Sequence, residues 1–244
     1  PAAAKNPIHA AGRSADSVHH SKEDALTARE YERLLEGARE LSHSDFYYQP
    51  DPELVVALLG RLGLRRGELV HLREAWIDWN RKMIEIPQHD PCDFGADGEP
   101  CGYCKQLARQ RAEYAGDDLS VAEAMEWVWV PKTAAAAREI YFGWSPRVEL
   151  YLERYFDSPA YDRFEASGTA VNRRVKQAAE RAGLDHESLS PHPLRATAAT
   201  YHAARGLSPT SLTQMFGWEN LATAEIYISK NSGNTARELD SIHS

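Results

Sequence analysis

The sequence has few lysines and a negative net charge. Only 7 of its 28 basic residues are lysines, and 36 acidic residues bring the net charge to −8. This balance argues weakly against a strongly basic nucleic-acid-binding protein, although net charge describes solubility and steering rather than local patches. The other 21 basic residues are arginines. Because the planar guanidinium suits phosphate recognition, the negative total does not exclude a basic groove.

Long apolar runs and targeting signals are also lacking. No apolar stretch approaches the roughly 18 residues that span a bilayer, and the N-terminal residues show no signal-peptide pattern. With 43% apolar and 26% charged residues in 244, the chain resembles an ordinary globular protein of one large or two small domains. The sequence therefore predicts a cytoplasmic protein that does not enter a membrane.

Cysteine is scarce too, and its few copies are clustered. An odd number, three, falls within residues 92–104, which is not the pattern of a secretory disulfide framework. Three thiolates and one imidazole would fill a tetrahedral zinc shell and leave no open position, so the pattern predicts a structural zinc site. The predicted ligands, spaced H-x2-C-x8-C-x2-C, are His89, Cys92, Cys101 and Cys104. Asp93 and His71 stay open as substitutes for His89, and three free loop cysteines are the alternative.

Patterning divides the chain into a tail, one domain and a second tail. Residues 1–25 are small and polar without apolar periodicity, which predicts a linker or a disordered tail. One domain is expected over residues 26–229, and a C-terminal tail over 230–244. Residues 87–126, which contain the cysteines, are too long for an ordinary hairpin connection and are predicted to be an insert held by the metal.

The fold class indicated is mixed α/β, mainly helical with a small three-stranded antiparallel sheet. Capping and apolar periodicity predict helices at 27–41, 53–62, 145–156, 169–182, 193–205, 209–216 and 220–228, with a short helix after the turn at 63–67. Short runs of apolar and β-branched residues predict strands at 83–86, 127–130 and 139–142.

One predicted helix, residues 169–182, holds the densest basic stretch of the chain. Such a run is usually a solvated helix face, and contact with DNA is the alternative. The candidate DNA-binding residues are Arg173, Arg174 and Lys176.

Several polar residues fall beside predicted turns and helix starts. Each has an ordinary explanation when taken singly, such as a surface charge, a helix cap or an ion-pair partner. Tyr227 alone, in an amphipathic segment, would be a half-buried packing residue. The set comprises Arg65, Lys132, His192, Arg195, Trp218 and Tyr227.

Together, the segments around these residues form four ordered boxes. Residues 63–69 read Gly-Leu-Arg-Arg-Gly-Glu-Leu, and residues 131–133 read Pro-Lys-Thr, followed by Arg-Glu-Ile at 138–140. Residues 192–195 read His-Pro-Leu-Arg, and Gly217-Trp218 precedes Tyr227 by nine positions. In order and spacing the boxes resemble the tyrosine recombinase (phage integrase) family, over about residues 26–229.

The resemblance implies a fold and a reaction. The fold would be the tyrosine recombinase catalytic domain, and Tyr227 would attack a DNA phosphodiester to give a 3′-phosphotyrosine, without ATP or a catalytic metal. Arg65 and Arg195 would grip the non-bridging oxygens bidentately. His192 would hydrogen-bond the phosphate and help to move the tyrosine proton, and Lys132 would protonate the departing 5′ oxygen. Glu68 would be a supporting acid.

Some positions depart from the family's common pattern. Trp218 stands where histidine is common, and an indole N–H can donate a hydrogen bond but cannot titrate. Ala196 follows Arg195 where many members have histidine, with no catalytic consequence expected. The cysteine insert is not a general family feature, although it would fit an archaeal branch. The family usually places a DNA-clamping domain before the catalytic one, and only 25 unpatterned residues precede Leu26 here.

The predicted partner is double-stranded DNA, bound by a homo-oligomer (a tetramer, by resemblance). Two other functions remain open. The first is a non-catalytic DNA-binding remnant of the family, favoured by the missing clamp domain and opposed by the full set of catalytic residue types. The second is a type IB topoisomerase-like activity, which would relax supercoils with nearly the same residues.

Overall fold

The computed structural model describes residues 24–44, 50–158, 161–228, 239–240 and 242–243. The predicted tails at 1–25 and 230–244 therefore lie almost entirely outside the described residues. The chain is mainly helical, with ten α-helices and three strands in its described part. In order these are α1 (Ala28–Ser44), α2 (Pro52–Gly60), α3 (Arg66–Leu69), β1 (Ile77–Asp78), β2 (Met83–Ile86), α4 (Gly102–Ala115), α5 (Val121–Glu126), β3 (Arg138–Tyr141), α6 (Pro146–Phe156), α7 (Gly168–Arg181), α8 (Pro191–Ala204), α9 (Pro209–Phe216) and α10 (Leu221–Ile228).

The strands form one antiparallel sheet in the order β1-β2-β3. Ile84 pairs with Ile77 on one side and Ile140 on the other, and all three side chains are buried. The next pair, Glu85 and Glu139, is exposed, as expected for a sheet with one wet face. The prediction of a mainly helical domain with a three-stranded antiparallel sheet is confirmed.

One strand of that prediction was wrong. Residues 127–130 do not join the sheet, and β1, too short to show any periodicity, takes the third place. Trp129 instead exchanges backbone hydrogen bonds with Asp90, at 3.0 and 2.7 Å, and Cys92 N–H donates to the Val128 carbonyl at 3.0 Å. The apolar run therefore pairs with residues 90–92, and this pairing joins the two ends of the insert, which contains α4 and α5.

Helix α2 is the centre of the core. All nine of its residues are buried, and it lies against α1, α6, α7 and α8. The Asp51 carboxylate caps it by accepting from the N–H groups of Glu53 and Leu54, which satisfies donors that a helix start leaves unpaired. The turn after α2 leads directly into α3, so the core fixes the position of α3.

Helices α8, α9 and α10 form a smaller cluster at the C-terminal end. Its buried residues include Leu212, Phe216, Ala224 and Tyr227. Helix α9 ends at Gly217, in the left-handed conformation (φ 55°, ψ 53°) that favours glycine. This turn brings Trp218 and α10 back towards α3. No described helix is both long and apolar enough to cross a membrane.

Candidate active site and metal centre

Arg65 and Glu68 are held together at the start of α3. The Glu68 carboxylate accepts from the Arg65 backbone N–H at 2.7 Å and from its guanidinium (Nη1) at 2.8 Å. The second guanidinium nitrogen of Arg65 donates to the Gly217 carbonyl at 2.9 Å. The short helix therefore fixes the arginine from both ends, while its side chain stays 21% exposed.

Arg195, on α8, is buried beside this pair. Its guanidinium donates to the backbone carbonyls of Gly63 and Phe216. Burial lowers the pKa of Arg195 to about 9, although the nearby Glu68 carboxylate favours the charged form. The two carbonyls fix the orientation of the buried guanidinium, so Arg195 would need little rearrangement to stabilise an anion.

Arg138 is a site residue that the sequence prediction missed. Its Nη1 and Nη2 donate to the two oxygens of Glu68 at 2.8 and 3.0 Å. It also donates to the Met215 carbonyl at 2.7 Å and the Ala136 carbonyl at 2.7 Å. The sequence placed Arg138 in the box at 138–140. No local pattern indicated that its partner is Glu68, 70 residues away.

Glu68 is the buried counter-ion of these arginines. Burial alone would raise its pKa, but the charges of Arg138, Arg195 and Arg65, with the hydrogen bonds from Arg138, outweigh burial and hold the pKa at about 2. The carboxylate is therefore ionised across the physiological range. One carboxylate offsets only part of the charge of three guanidiniums, so the group as a whole stays positive, as suits a site for an anion.

Three of the predicted residues converge on one surface cleft of about 350 Å³. Arg65, His192 and Arg195 line it, together with Arg66, Asn172, Ser190 and Pro191. His192 is exposed at the first turn of α8. A concave site with several cationic donors is suited to bind a phosphate group.

Trp218 and Tyr227 are stacked next to this cleft. The rings lie 5.3 Å apart and 6° from parallel, and Trp218 also stacks on Phe216 at 5.0 Å. Tyr227 is 6% exposed. Its charge would contribute to the electrostatic environment of Arg195, so the tyrosine lies within electrostatic reach of the arginines. Tyr227 therefore packs in the protein interior and also lies beside the cleft.

Lys132 is separate from the other site residues. It is exposed, in the loop before β3, and makes no hydrogen bond or ion pair with the described part of the chain. Two residues on, the loop forms a short 3₁₀ turn, Ala134–Ala136, against Gly217. The loop is thus anchored near the cleft while the lysine itself is not.

The predicted DNA-binding residues of α7 differ in exposure. Arg173 is exposed, and Lys176 pairs with Glu187 at 3.1 Å on the surface. Arg174 is only 2% exposed and donates to Gln177 on the same helix at 3.0 Å. Arg174 is therefore the least accessible of the three predicted DNA-binding residues, and Arg173 is the most exposed.

The three cysteines come together with one histidine. Among the described residues, the potential ligand atoms of His71, Cys92, Cys101 and Cys104 lie within 4.8 Å of one another. The imidazole Nε2 of His71 is 3.3 Å from Cys104 Sγ and 3.5 Å from Cys101 Sγ. The Cys101 backbone N–H donates to Cys92 Sγ at 3.4 Å. Three sulfurs and one imidazole nitrogen form the donor set of a structural zinc site.

His71, rather than His89, is the histidine that lies with the three cysteines. Its Nδ1 lies 2.8 Å from the Gly67 carbonyl. A proton placed there by this hydrogen bond leaves the Nε2 lone pair free towards the sulfurs, which is the usual outer-shell support of a metal-binding histidine. His89 instead packs its ring against Trp127, 5.5 Å away. The sequence left His71 open as an alternative, and spacing could not favour a residue 21 positions before the first cysteine.

A larger cavity of about 820 Å³ lies between the insert and residues 162–169. Its lining mixes Arg66 and Arg163 with Asp93, Asp162 and Glu165. Asp93, the other alternative zinc ligand, is paired there with Arg73 at 2.6 Å and Arg163 at 3.0 Å. The cavity therefore lacks the concentrated positive charge of the smaller cleft, and size does not identify the active site.

The structure combines a mainly helical domain that has a small antiparallel sheet with a cleft lined by Arg65, His192 and Arg195. A stacked tyrosine lies beside the cleft. Residues 154–233 match the model of the phage integrase family. No curated protein matches the chain. The resemblance is confirmed: the chain has the fold of a tyrosine recombinase catalytic domain, and its C-terminal part matches that family.

Solved structures carry the same fold. XerA recombinase is similar with a TM-score of 0.53 and 19% identity, over 90% of this chain and 64% of that one. The Tn1549 transposon integrase in complex with transposon right end DNA is similar with a TM-score of 0.58 and 18% identity, over 94% of this chain and 69% of that one. The chain thus spans about two thirds of the length of these proteins.

Proposed function

We propose that the protein breaks and rejoins DNA strands through Tyr227, in site-specific recombination. The observation that carries the proposal is the convergence of Arg65, His192 and Arg195 on one cleft beside the stacked Tyr227. Each residue type alone has an ordinary structural role. A nucleophile next to a site built for a phosphate is what phosphoryl transfer to a side chain requires.

The reaction follows from these groups. The Tyr227 oxygen attacks the phosphorus, the bond to the 5′ oxygen breaks, and a 3′-phosphotyrosine forms that conserves the energy of the broken bond. Arg65 and Arg195 stabilise the charge that develops on the non-bridging oxygens, a contribution of several kcal/mol in comparable sites. His192 hydrogen-bonds the phosphate and assists removal of the tyrosine proton, and Lys132 gives a proton to the 5′ oxygen. Trp218 donates its indole N–H to the phosphate and packs against the tyrosine ring.

The proposed partner is double-stranded DNA. A similar protein of this fold, the Tn1549 transposon integrase, has been solved in complex with transposon right end DNA and with circular intermediate DNA. Exchange between two duplexes needs several active sites, so we propose a homo-oligomer, a tetramer, on DNA. We place the reaction in the cytoplasm, where thiolates stay reduced.

A covalent adduct tests the proposal. Incubation with duplexes from the protein's own genomic neighbourhood, nicked near the cleavage position so that the cut end diffuses away, should yield a protein–DNA band that resists denaturation. Tyr227→Phe should abolish it and leave the melting temperature nearly unchanged, because the ring stack is kept. Tyr201→Phe, on α8, is the matched control and should retain the band.

The same experiment separates the two rival functions. Absence of an adduct on all substrates, with DNA still bound, would establish the non-catalytic remnant. Adduct formation with relaxation of supercoiled plasmid, and no joining of two duplexes, would establish the topoisomerase-like activity. Joined duplexes support the recombinase.

We further propose that His71, Cys92, Cys101 and Cys104 bind one structural zinc ion. Their donor atoms already lie within 4.8 Å of one another, and a four-ligand shell leaves no position for a substrate. Zinc would fasten the insert to α3, because His71 is three residues from Glu68. The catalytic chemistry of the cleft needs no metal.

Metal analysis of two histidine variants tests the ligand set. The wild type should contain about one zinc per chain, and His71→Ala should lose it together with thermal stability. His89→Ala, the matched control, should retain the metal. A zinc content well below one per chain in the wild type would refute the site. Loss of zinc in His89→Ala but not in His71→Ala would identify His89 as the fourth ligand.

A further inference from the structure

Arg138 has a place in the site that differs from that of Arg65 and Arg195. Each nitrogen of its guanidinium already donates to the protein: Nε to the Met215 carbonyl, Nη1 to the Ala136 carbonyl and Glu68, and Nη2 to Glu68. Its side chain is 6% exposed. A guanidinium whose nitrogens are all engaged, and which is covered from solvent, is not placed to touch a phosphate.

The contacts of Arg138 join three separate parts of the site. Glu68 belongs to α3, which holds Arg65, and Met215 lies near the end of α9, just before Gly217 and Trp218. Ala136 belongs to the turn that follows Lys132. Arg138 itself is the first residue of β3. It therefore ties the loop of the lysine to the arginine–glutamate pair.

Close packing reinforces this junction. A Cβ on Gly217 would lie 2.8 Å from the Ala135 carbonyl oxygen and 2.8 Å from Ala136 Cα. The turn after Lys132 thus packs closely against the end of α9, while Lys132 itself makes no hydrogen bond or ion pair with any residue that the structure describes. The position of the lysine depends on the turn, and the turn depends on Arg138.

We infer that Arg138 is a positioning residue that sets where Lys132 delivers its proton. This inference rests on the proposed function, in which Lys132 protonates the 5′ oxygen as the bond between that oxygen and phosphorus breaks. Misplacement of the loop would impair that proton transfer more than phosphate binding, because Arg65 and Arg195 keep partners of their own.

A change of leaving atom isolates this step. In a DNA substrate whose 5′ bridging oxygen is replaced by sulfur, the departing thiolate needs no protonation, since the pKa of a thiol is about 8.5. On ordinary DNA, Arg138→Gln should lower the rate of adduct formation about 10- to 100-fold, the cost typical of a misplaced catalytic group. On the sulfur substrate it should come within about threefold of the wild type, as Lys132→Ala should, because the step that needs an acid is bypassed.

Two further variants keep the result interpretable. Arg138→Lys retains the charge and part of the hydrogen bonding, so its loss on ordinary DNA should be smaller than that of Arg138→Gln, and it serves if the glutamine variant does not fold. Arg81→Gln, in the turn between β1 and β2, removes an exposed partner of Glu139 and should behave as wild type on both substrates. Melting temperatures report the fold of each variant.

Equal losses on the two substrates in a folded Arg138 variant would overturn the inference, because they would show that Arg138 acts through phosphate binding or general stability. Unchanged cleavage of ordinary DNA would overturn it as well. If the wild type forms no adduct with either substrate, the proposed function itself has failed, an outcome distinct from both.

Discussion

Among single residues, Glu68 has the strongest electrostatic coupling to the rest of the site. Its carboxylate is 1% exposed and bonds two guanidiniums, while a third guanidinium lies near enough to lower its pKa further. Removing one partner of a buried charge cluster generally costs more than the cluster contributes net, because the remaining charges stay desolvated. Loss of Glu68 would therefore leave the buried guanidiniums of Arg138 and Arg195 without their nearby negative charge.

The pKa of Glu68 predicts an acid-dependent loss of stability. Because its pKa is about 2 in the folded protein and 4.5 ordinarily, its stabilisation is fully present above pH 4.5 and is lost as the pH falls towards 2. The shift corresponds to on the order of 3 kcal/mol. The free energy of unfolding of Glu68→Gln in urea should therefore lie well below that of the wild type at pH 7, with the difference shrinking from pH 5 to pH 3.

Glu36→Gln, on the exposed face of α1, is the control and should follow the wild type at every pH. A difference between wild type and Glu68→Gln that is constant across this range would show that the carboxylate contributes through shape and hydrogen bonding, not through its charge.

Among the helices and strands, local signals predicted those whose ends are capped. Helix α6 begins at Pro146 after the Ser145 cap and ends at Phe156, the bounds that the sequence predicted. Residues 127–130 were assigned to the sheet because alternation does not reveal which partner a strand finds. Their partner proved to be the other end of the insert.

Some residues of the site could be predicted from the sequence and others could not, for a similar reason. The residues of the four boxes could be named because their order and spacing resemble those of the tyrosine recombinase family. Arg138 could not be assigned a role, and His71 could be given only as an alternative ligand. Their partners are distant in the chain, since Glu68 is 70 residues from Arg138 and Cys104 is 33 from His71. Long-range contacts of buried polar groups leave no periodic signal.

The turn at Gly217 supports a prediction for the end of α9. Its φ of +55° and the contacts of a Cβ with Ala135 and Ala136 both disfavour any side chain. Gly217→Ala should destabilise the protein by about 1–3 kcal/mol and displace the Gly217 carbonyl, a partner of Arg65. Thermal unfolding measures the first effect, and the rate of adduct formation the second.

Gly102→Ala is the matched control, because a Cβ at that position meets nothing within 4 Å and its φ is not positive. It should leave stability within about 0.5 kcal/mol of the wild type, as surface substitutions usually do. A Gly217→Ala variant that is as stable and active as this control would show that the Ala134–Ala136 turn is free to move.

At the scale of the whole molecule, a net charge of −8 is combined with a local concentration of arginine. The overall field repels DNA at long range, while the cleft with Arg65, Arg66 and Arg195 attracts a phosphate at short range. Affinity should therefore depend on a small number of close contacts rather than on general attraction.

Salt dependence provides the measurement. Each phosphate contact contributes a slope of about −0.9 to the logarithm of the binding constant against the logarithm of salt concentration. Arg173→Ala should make the slope less negative by about one contact, because Arg173 is exposed on α7. The buried Arg174 supplies no contact, so Arg174→Ala should leave the slope unchanged in a folded sample. An unchanged slope in Arg173→Ala would place the DNA away from α7, and an equal loss in both variants would show that Arg174 contributes as much as Arg173.

The position of His71, outside the insert that contains the three cysteines, has a consequence for how the insert can be inherited. Residues 87–126 bring three sulfur ligands, but the fourth ligand belongs to the segment that follows α3. Deleting the insert would leave a buried imidazole without its partners. Transplanting the insert into a protein that lacks a histidine at this position would give an incomplete site. The proposed zinc centre therefore depends on two separate stretches of the gene, and a lineage that gained or lost it would have to change both.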